Sequence, residues 1–458
     1  MFRLPYIDDK MKEMGKIFDF KYIKELFTLA LPIIMGNLGH IMLGTVDCFV
    51  AGKYSTGAIA AISVATSIHA TIVMFGIGLT ISISPLLSNK RGAKEGTKKY
   101  FFPSLKFAVL MGLFLMCITF AYIPLLDFLG YEPQLLHDIK IFTFLLAFTT
   151  ITAEISVAIK EFLQAYEIVF LPNFLMIISV FLNLVLNWIF VFGKFGLPEM
   201  GVAGIALATV LVRAFVAIVL LAFCFIKFRF PEYDDTDYYK QIFKIGLPIS
   251  TSIIIEFLTF NYIAIILGRI SGLYAAAHSI ILVIGNAAFM IPLAISNALA
   301  VKVGYANGAK DYPEMVKYIK NGIGISICIM IIASTIFANF PHQLISIFTT
   351  DTKLISIAVP VMYIVAAYQI CDGIQVSMSG IYKGLKKTKF VMIANMLGYM
   401  LIGISLGTYL GIVRKMYLFG CWLGIAVSSA VLSSILITGL FIILKKLKKK
   451  YRSEVNGL

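Results

Sequence analysis

Five consecutive residues, Tyr368-Gln369-Ile370-Cys371-Asp372, interrupt an apolar run that extends from about Ile355 to Tyr382. A helix of ~20 apolar residues crosses a bilayer, so the run is long enough to span one. Tyr368 and Asp372 are spaced i,i+4 and share a helix face. A second carboxylate, Glu256, lies in the middle of another apolar run, roughly Ile242 to Ile270. Carboxylates at membrane depth are costly and mark ion or substrate sites. Two such acids and a phenol offer hard oxygen ligands, which suit Na⁺. A proton needs only a carboxylate whose neutral form is favoured by apolar surroundings. The residues fit either ion, and they suggest a carrier that couples cation entry to solute export. The competing reading is that each acid is neutral, buried and hydrogen-bonded as packing.

These groups need an apolar scaffold, and the composition supplies it. Of 458 residues, 60% are hydrophobic and only 14% charged, with a mean hydropathy of +0.91. A soluble chain carries more charge, so an all-α polytopic membrane protein is expected. Twelve transmembrane helices are counted: Leu26–Val50, Ala58–Leu87, Phe107–Leu126, Ile141–Leu163, Val169–Phe192, Val202–Phe225, Ile242–Ile270, Ala275–Val303, Ile323–Phe348, Ile355–Tyr382, Val391–Ile412 and Leu418–Leu444. The six cysteines all fall in apolar runs without CxxC spacing and are expected as buried thiols.

The net charge of +15 follows the positive-inside pattern rather than a nucleic-acid footprint. Basic residues concentrate in the N-terminal segment (Arg3, Lys10, Lys12, Lys16, Lys21), in the loops after the second, eighth and tenth spans, and in the tail from Lys445 to Arg452. Both termini are therefore expected to be cytoplasmic, in a cell (cytoplasmic) membrane. No cleavable signal is read in Met1 to Lys21. Nucleotide loops, HExxH and GxSxG motifs are missing from the sequence. That disfavours an ATP-driven pump and common hydrolase chemistry, so the chain is expected to be no enzyme and to need no cofactor beyond a coupling ion.

An acidic stretch within 227–240 divides six spans from six. The expected domains are an N-terminal lobe (1–226), a cytoplasmic linker (227–240) and a C-terminal lobe (241–458). The lobes read as copies. Leu31-Pro32-Ile33 recurs as Leu247-Pro248-Ile249, and Gly92-Ala93-Lys94 as Gly308-Ala309-Lys310, both at an offset of 216 (248 − 32, 308 − 92). Gly204-Ile205-Ala206 recurs as Gly424-Ile425-Ala426. Six spans per copy make this a parallel repeat, a pseudo-two-fold arrangement common to transporters.

Other polar residues lie inside the spans. Asp47 and His40 are on the first, and Asn183 and Asn187 share a face of the fifth. His278 on the eighth reads most simply as a packing histidine, with a coupling role as the alternative. Glu154 and Arg213 are each about midway through their spans, and equal depth suggests a structural ion pair.

Taken together, the residues resemble the multidrug and toxic compound extrusion (MATE) family, in particular its NorM type. The resemblance rests on Leu31-Pro32 through Val46-Asp47, on Leu182-Asn183 through Asn187-Trp188, on Leu247-Pro248 through Glu256 with Ala276-Ala277-His278, and on Tyr368-Gln369 through Asp372 with Gln375-Val376. It implies a V-shaped, twelve-helix antiporter that expels organic cations and amphipathic drugs in exchange for Na⁺ or H⁺, acting as a monomer in contact with membrane lipid. Carried over by position, Glu256, Tyr368 and Asp372 would form a C-lobe cation site. Asp47, Asn183 and Asn187 would form an N-lobe cation or substrate site, and Asp351 would match an acid of the outer vestibule. Glu154 and Arg213 depart from the family pattern. The alternatives are a flippase of a lipid-linked precursor, which would want a basic central cavity, and a channel.

Overall fold

The computed structural model describes residues 19–231 and 236–456. Arg3, Lys10, Lys12 and Lys16, and the linker acids Glu232, Asp234 and Asp235, lie outside the described residues. The described residues are almost entirely helical. Eleven helices are long and apolar enough to cross a membrane, and a bent pair makes up a twelfth. They are α1 (Phe20–Tyr54), α2 (Thr56–Gly92), α3 (Thr97–Leu129), α4 (Pro133–Ala147 with Thr149–Ala165), α5 (Phe170–Val191), α6 (Gly201–Lys227), α7 (Thr236–Ile270), α8 (Gly272–Gly308), α9 (Tyr312–Asn339), α10 (Thr352–Gly384), α11 (Thr388–Val413) and α12 (Tyr417–Tyr451). All twelve expected spans are present, all but the fifth (Phe170–Val191) as longer helices than the apolar runs alone suggest. The ninth ends earlier than expected: Pro341 starts a separate short helix, Pro341–Ser346, and α9 stops at Asn339.

Side-chain chemistry sets where helices begin and bend. Ser55, Ser271, Asp311 and Asp351 cap α2, α8, α9 and α10 by accepting backbone N–H bonds. The 40° bend in α4 falls at Phe148. There Thr149 Oγ1 donates to Leu146 O and Thr150 Oγ1 to Ala147 O, each at 2.7 Å. Hydroxyls that intrude on the helical ladder bend it without proline. In α11 the stretches Met396–Ile404 and Tyr409–Val413 are π-helical, a local widening of the helix frequent at functional sites.

By internal contacts the described chain forms two units. One takes the residues up to Leu31, Ser88–Glu95 and Thr251 onward; the other takes Pro32–Leu87 and Gly96–Ser250. The lobe boundaries expected from sequence are therefore cut differently, because α1, α2 and α7 each contribute to both units. Part of the expected linker is also helix. Tyr238 is fully buried in it, stacks on Tyr100 with ring centroids 4.7 Å apart, and lies 2.6 Å from the Ser104 hydroxyl.

Each unit has its own core. One is built around Val50, Ala61, Phe142 and Ile205, the other around Leu267, Ile281, Met362 and Trp422. Cys48, Cys117 and Cys328 are exposed, against the expectation of burial. An apolar run in a membrane helix turns one side to lipid, so hydropathy does not separate core from lipid-facing positions.

The internal repeat has a packing counterpart. A Cβ on Gly92 would fall 2.0 Å from Tyr305 O, and one on Gly308 would fall 1.9 Å from Asn89 O. Tyr305 and Asn89 are separated by the repeat offset (305 − 89 = 216), so the two backbone approaches are equivalent under the repeat. Asn307 Nδ2 also donates to Asn89 Oδ1 at 2.6 Å.

Candidate functional site

Three helices bring the C-terminal polar residues together. The middle of α7 carries Glu256, α10 carries Tyr368, Asp372 and Gln375, and the first π-helical stretch of α11 carries Tyr399. Asp372, Tyr368, Gln375 and Tyr399 are buried. Tyr399 Oη lies 3.5 Å from Glu256 Oε1 and 3.1 Å from Gln375 Oε1, and Gln375 Nε2 donates to it at 2.9 Å. Ser429 of α12 donates to Gln375 Oε1 at 3.4 Å. The Tyr368 phenol faces Asp372 across one helical turn, and the Asp372 and Glu256 carboxylates are within electrostatic reach of each other. Asp372 Oδ1 is buried without a hydrogen-bond partner.

The expected C-lobe triad is thus assembled, with Tyr399 as a fourth member. Its donor set is two carboxylates and two phenols, all hard oxygens. Two like charges in low dielectric repel strongly, and a bound cation or proton relieves that repulsion. Among the described residues no three His, Cys, Asp or Glu side chains cluster so as to hold a metal ion.

His278 receives other partners. It is fully buried, its Nε2 lies 3.3 Å from Phe260 O, and its ring packs 5.7 Å from that of Trp422. Asp351 is exposed and accepts from Lys353 N at 2.9 Å as the cap of α10.

The N-terminal residues also converge. Asn187 Nδ2 donates to Asp47 Oδ1 at 2.7 Å and reaches Asn183 Oδ1 at 3.1 Å. Thr209 Oγ1 of α6 lies 3.2 Å from Asp47 Oδ2. All four residues are buried, so Asp47 has both oxygens engaged by neutral donors.

The expected Glu154–Arg213 pair does not form. Glu154 is fully buried, and its Oε2 accepts from Thr80 Oγ1 at 2.6 Å. Its Oε1 is without a partner and sits over Gly76, where an added Cβ would come within 2.3 Å. Arg213 is within electrostatic reach of Asp47 instead. Equal depth places two residues in one layer of a bundle, but rotation of each helix decides whether they face each other.

Sequence reasoning missed Tyr399, Thr209 and Thr80, since a tyrosine or threonine in an apolar run carries no charge to flag it. One signal was present: Thr209 and Ser429 share the offset of the Gly204 and Gly424 segments (429 − 209 = 424 − 204 = 220), and each donates to its own unit's polar cluster.

The sequence and the fold are similar to those of known proteins. The probable multidrug resistance protein NorM of Photorhabdus laumondii is 28% identical over 94% of this chain and 97% of its own length. The multidrug resistance protein NorM of Photobacterium profundum is 26% identical over 88% of this chain and 91% of its own length. The crystal structure of the eukaryotic MATE transporter AtDTX14 superposes with a TM-score of 0.84 at 20% identity, over 95% of this chain and 99% of that one. The MatE family matches residues 32–189 and again 248–409, two stretches whose starts differ by the repeat offset (248 − 32 = 216). The chain belongs to the MatE family, a family of membrane transporters and not of enzymes.

Proposed function

We propose that the protein is a cation-coupled exporter of amphipathic drugs and organic cations, seated in the cytoplasmic membrane with both termini cytoplasmic. The observation that carries this reading is the pairing of half-buried Glu256 with buried Asp372, beside the phenols of Tyr399 and Tyr368, with Asp372 Oδ1 left without a partner. The relatives named as multidrug resistance proteins support the solute class. A cation entering between the acids neutralises them and draws α7, α10 and α11 together. The π-helical turn at Tyr399 lets α11 adjust without breaking its backbone bonds. Cation and drug each favour one arrangement of the same helices, so that binding of one promotes release of the other. The chain works as a single subunit.

The test is export of a fluorescent organic cation from proteoliposomes, with Na⁺ and pH gradients imposed separately. Export that follows one gradient supports coupling and names the ion. Flux that ignores both gradients points to a channel and overturns the proposal.

A further inference from the structure

An apolar groove runs between α10 and α12 and uses none of the cation-site residues. Pro360, Tyr363, Ile364 and Ala367 recur at i, i+3, i+4 and i+7 on α10 and form one wall. Phe419, Leu423 and Ala426 recur at i, i+4 and i+7 on α12 and form the other. The groove encloses about 530 Å³, within the ~300–1,000 Å³ range of small-molecule sites. Alanines at 367 and 426 leave it deep, while Tyr363 and Phe419 are exposed at its margins. Of the lining side chains only Tyr363 has a polar group. A charged solute finds no partner on such walls, whereas a hydrocarbon chain fits them.

Both walls lead to cations at the same end of the groove, since α10 and α12 flank α11 in sequence and run in one direction. Lys353 lies seven residues before Pro360 (360 − 353), and Arg414 and Lys415 lie five and four before Phe419 (419 − 414, 419 − 415). The connections at this end of the unit carry Arg269, Lys353, Arg414 and Lys415 against one acid, Asp351, whose carboxylate caps α10. All four cations are exposed, and among the described residues none makes an ion pair. The α11–α12 connection is fixed in place. Arg414 N donates to Tyr409 O at 2.9 Å and Met416 N to Leu410 O at 3.1 Å, and Tyr417 stacks on Tyr274 with ring centroids 5.0 Å apart. In the orientation proposed above, this end faces away from the cytoplasm, a side that positive-inside chains leave poor in cations. Fixed, unpaired cations at the head of an apolar groove are complementary to a phosphate joined to acyl chains.

We propose that the groove is a binding site for an acyl chain of an anionic phospholipid, whose phosphate is held by Arg414 and Lys415. The walls alone do not select, because bulk lipid offers the chain equally apolar surroundings. Selection comes from the headgroup: a guanidinium holds a phosphate through two parallel bonds. Two cations at the membrane surface favour an anionic over a zwitterionic headgroup about tenfold. The site goes beyond the export reading and does not depend on it.

The experiment is native mass spectrometry of the purified full-length protein in detergent, with an equimolar mixture of phosphatidylglycerol and phosphatidylcholine bearing the same acyl chains. The readout is the ratio of the two lipids bound. The native protein is expected to retain phosphatidylglycerol preferentially. Arg414→Gln combined with Lys415→Gln is expected to lower the ratio about tenfold. Ala367→Phe fills the groove with a ring and leaves the cations in place; it is expected to remove the preferred lipid, and Ala367→Leu to weaken it if the larger side chain prevents folding. The site is refuted if the native protein shows no preference, if the double variant keeps the native ratio, or if neither Ala367 variant loses lipid. Displacement of the lipid by glycerol phosphate, which has no chains, would make this a plain anion site and overturn the proposal. Displacement by a fluorescent organic cation would make it a solute site, and a dimer that Ala367→Phe dissociates would make it a contact between copies; either overturns it as well. Because binding is read without a gradient, a failure of cation-coupled export leaves this result interpretable.

Discussion

Tyr399 Oη stands 3.5 Å from Glu256 Oε1, although 143 residues separate the two in the chain. The contact brings α11 into the proposed cation site and links it to α10 through Gln375. A phenol beside a carboxylate both donates a hydrogen bond and offers an oxygen ligand. Tyr399→Phe removes both with little change in volume. A hydrogen bond to a charged group contributes ~1.5–3 kcal/mol. The coupling-cation concentration at half-maximal export should therefore shift about tenfold or more, measured in proteoliposomes at fixed drug. An unchanged cation dependence would remove Tyr399 from the site.

The closeness of Gly308 to Asn89 O leaves no room for a side chain. Gly308→Ala forces backbone against backbone, which no rotamer change can relieve. Overpacking of this kind costs ~1–3 kcal/mol. A lower melting temperature in detergent is expected for Gly308→Ala, and likewise for Gly92→Ala at the repeat-equivalent approach to Tyr305. Gly96, where a Cβ would meet nothing within 4 Å, should tolerate the same substitution.

Glu154→Gln separates two accounts of this acid. An ion pair with Arg213 would make the amide destabilising by ~3–5 kcal/mol through an orphaned charge. The structure instead shows a hydrogen bond from Thr80, which a glutamine oxygen can accept. Stability within about 1 kcal/mol of the native protein is expected from thermal unfolding. Gly76→Ala, which crowds Glu154 Oε1, should be the more damaging change.

Asp351 tests position against role. As the cap of α10 it accepts from Lys353 N and Leu354 N. Asp351→Ala is expected to cost ~1 kcal/mol of stability, and Asp351→Ser to recover most of it. A vestibule role in attracting cations would instead be lost in both variants, as a raised KM for the cationic drug.

The twelve spans and the repeat were legible in the sequence because the bilayer imposes length and apolarity on every crossing segment. Glu256 and Asp372 were legible for the same reason: a carboxylate in such a segment is conspicuous. Tyr399 and Thr209 were not, since phenols and hydroxyls occur throughout apolar helices and only the fold shows which face a carboxylate. Glu154 and Arg213 illustrate the reverse error. Depth can be counted along a sequence, but the azimuth of one helix against another is set by packing around Gly76 and Thr209. The unit boundaries were likewise hidden, because α1 and α7 run on without a composition change at Leu31 and Ser250.

The most direct measurement is gradient-driven export by Glu256→Gln and Asp372→Asn, each reconstituted and compared with native protein at equal amounts. Both variants keep the shape of the side chain and remove its charge. The account predicts that export in either variant no longer responds to the imposed cation gradient, while the purified variants still bind the drug. Native-like, gradient-dependent export by both variants would show that the buried acids are packing groups and not the coupling site.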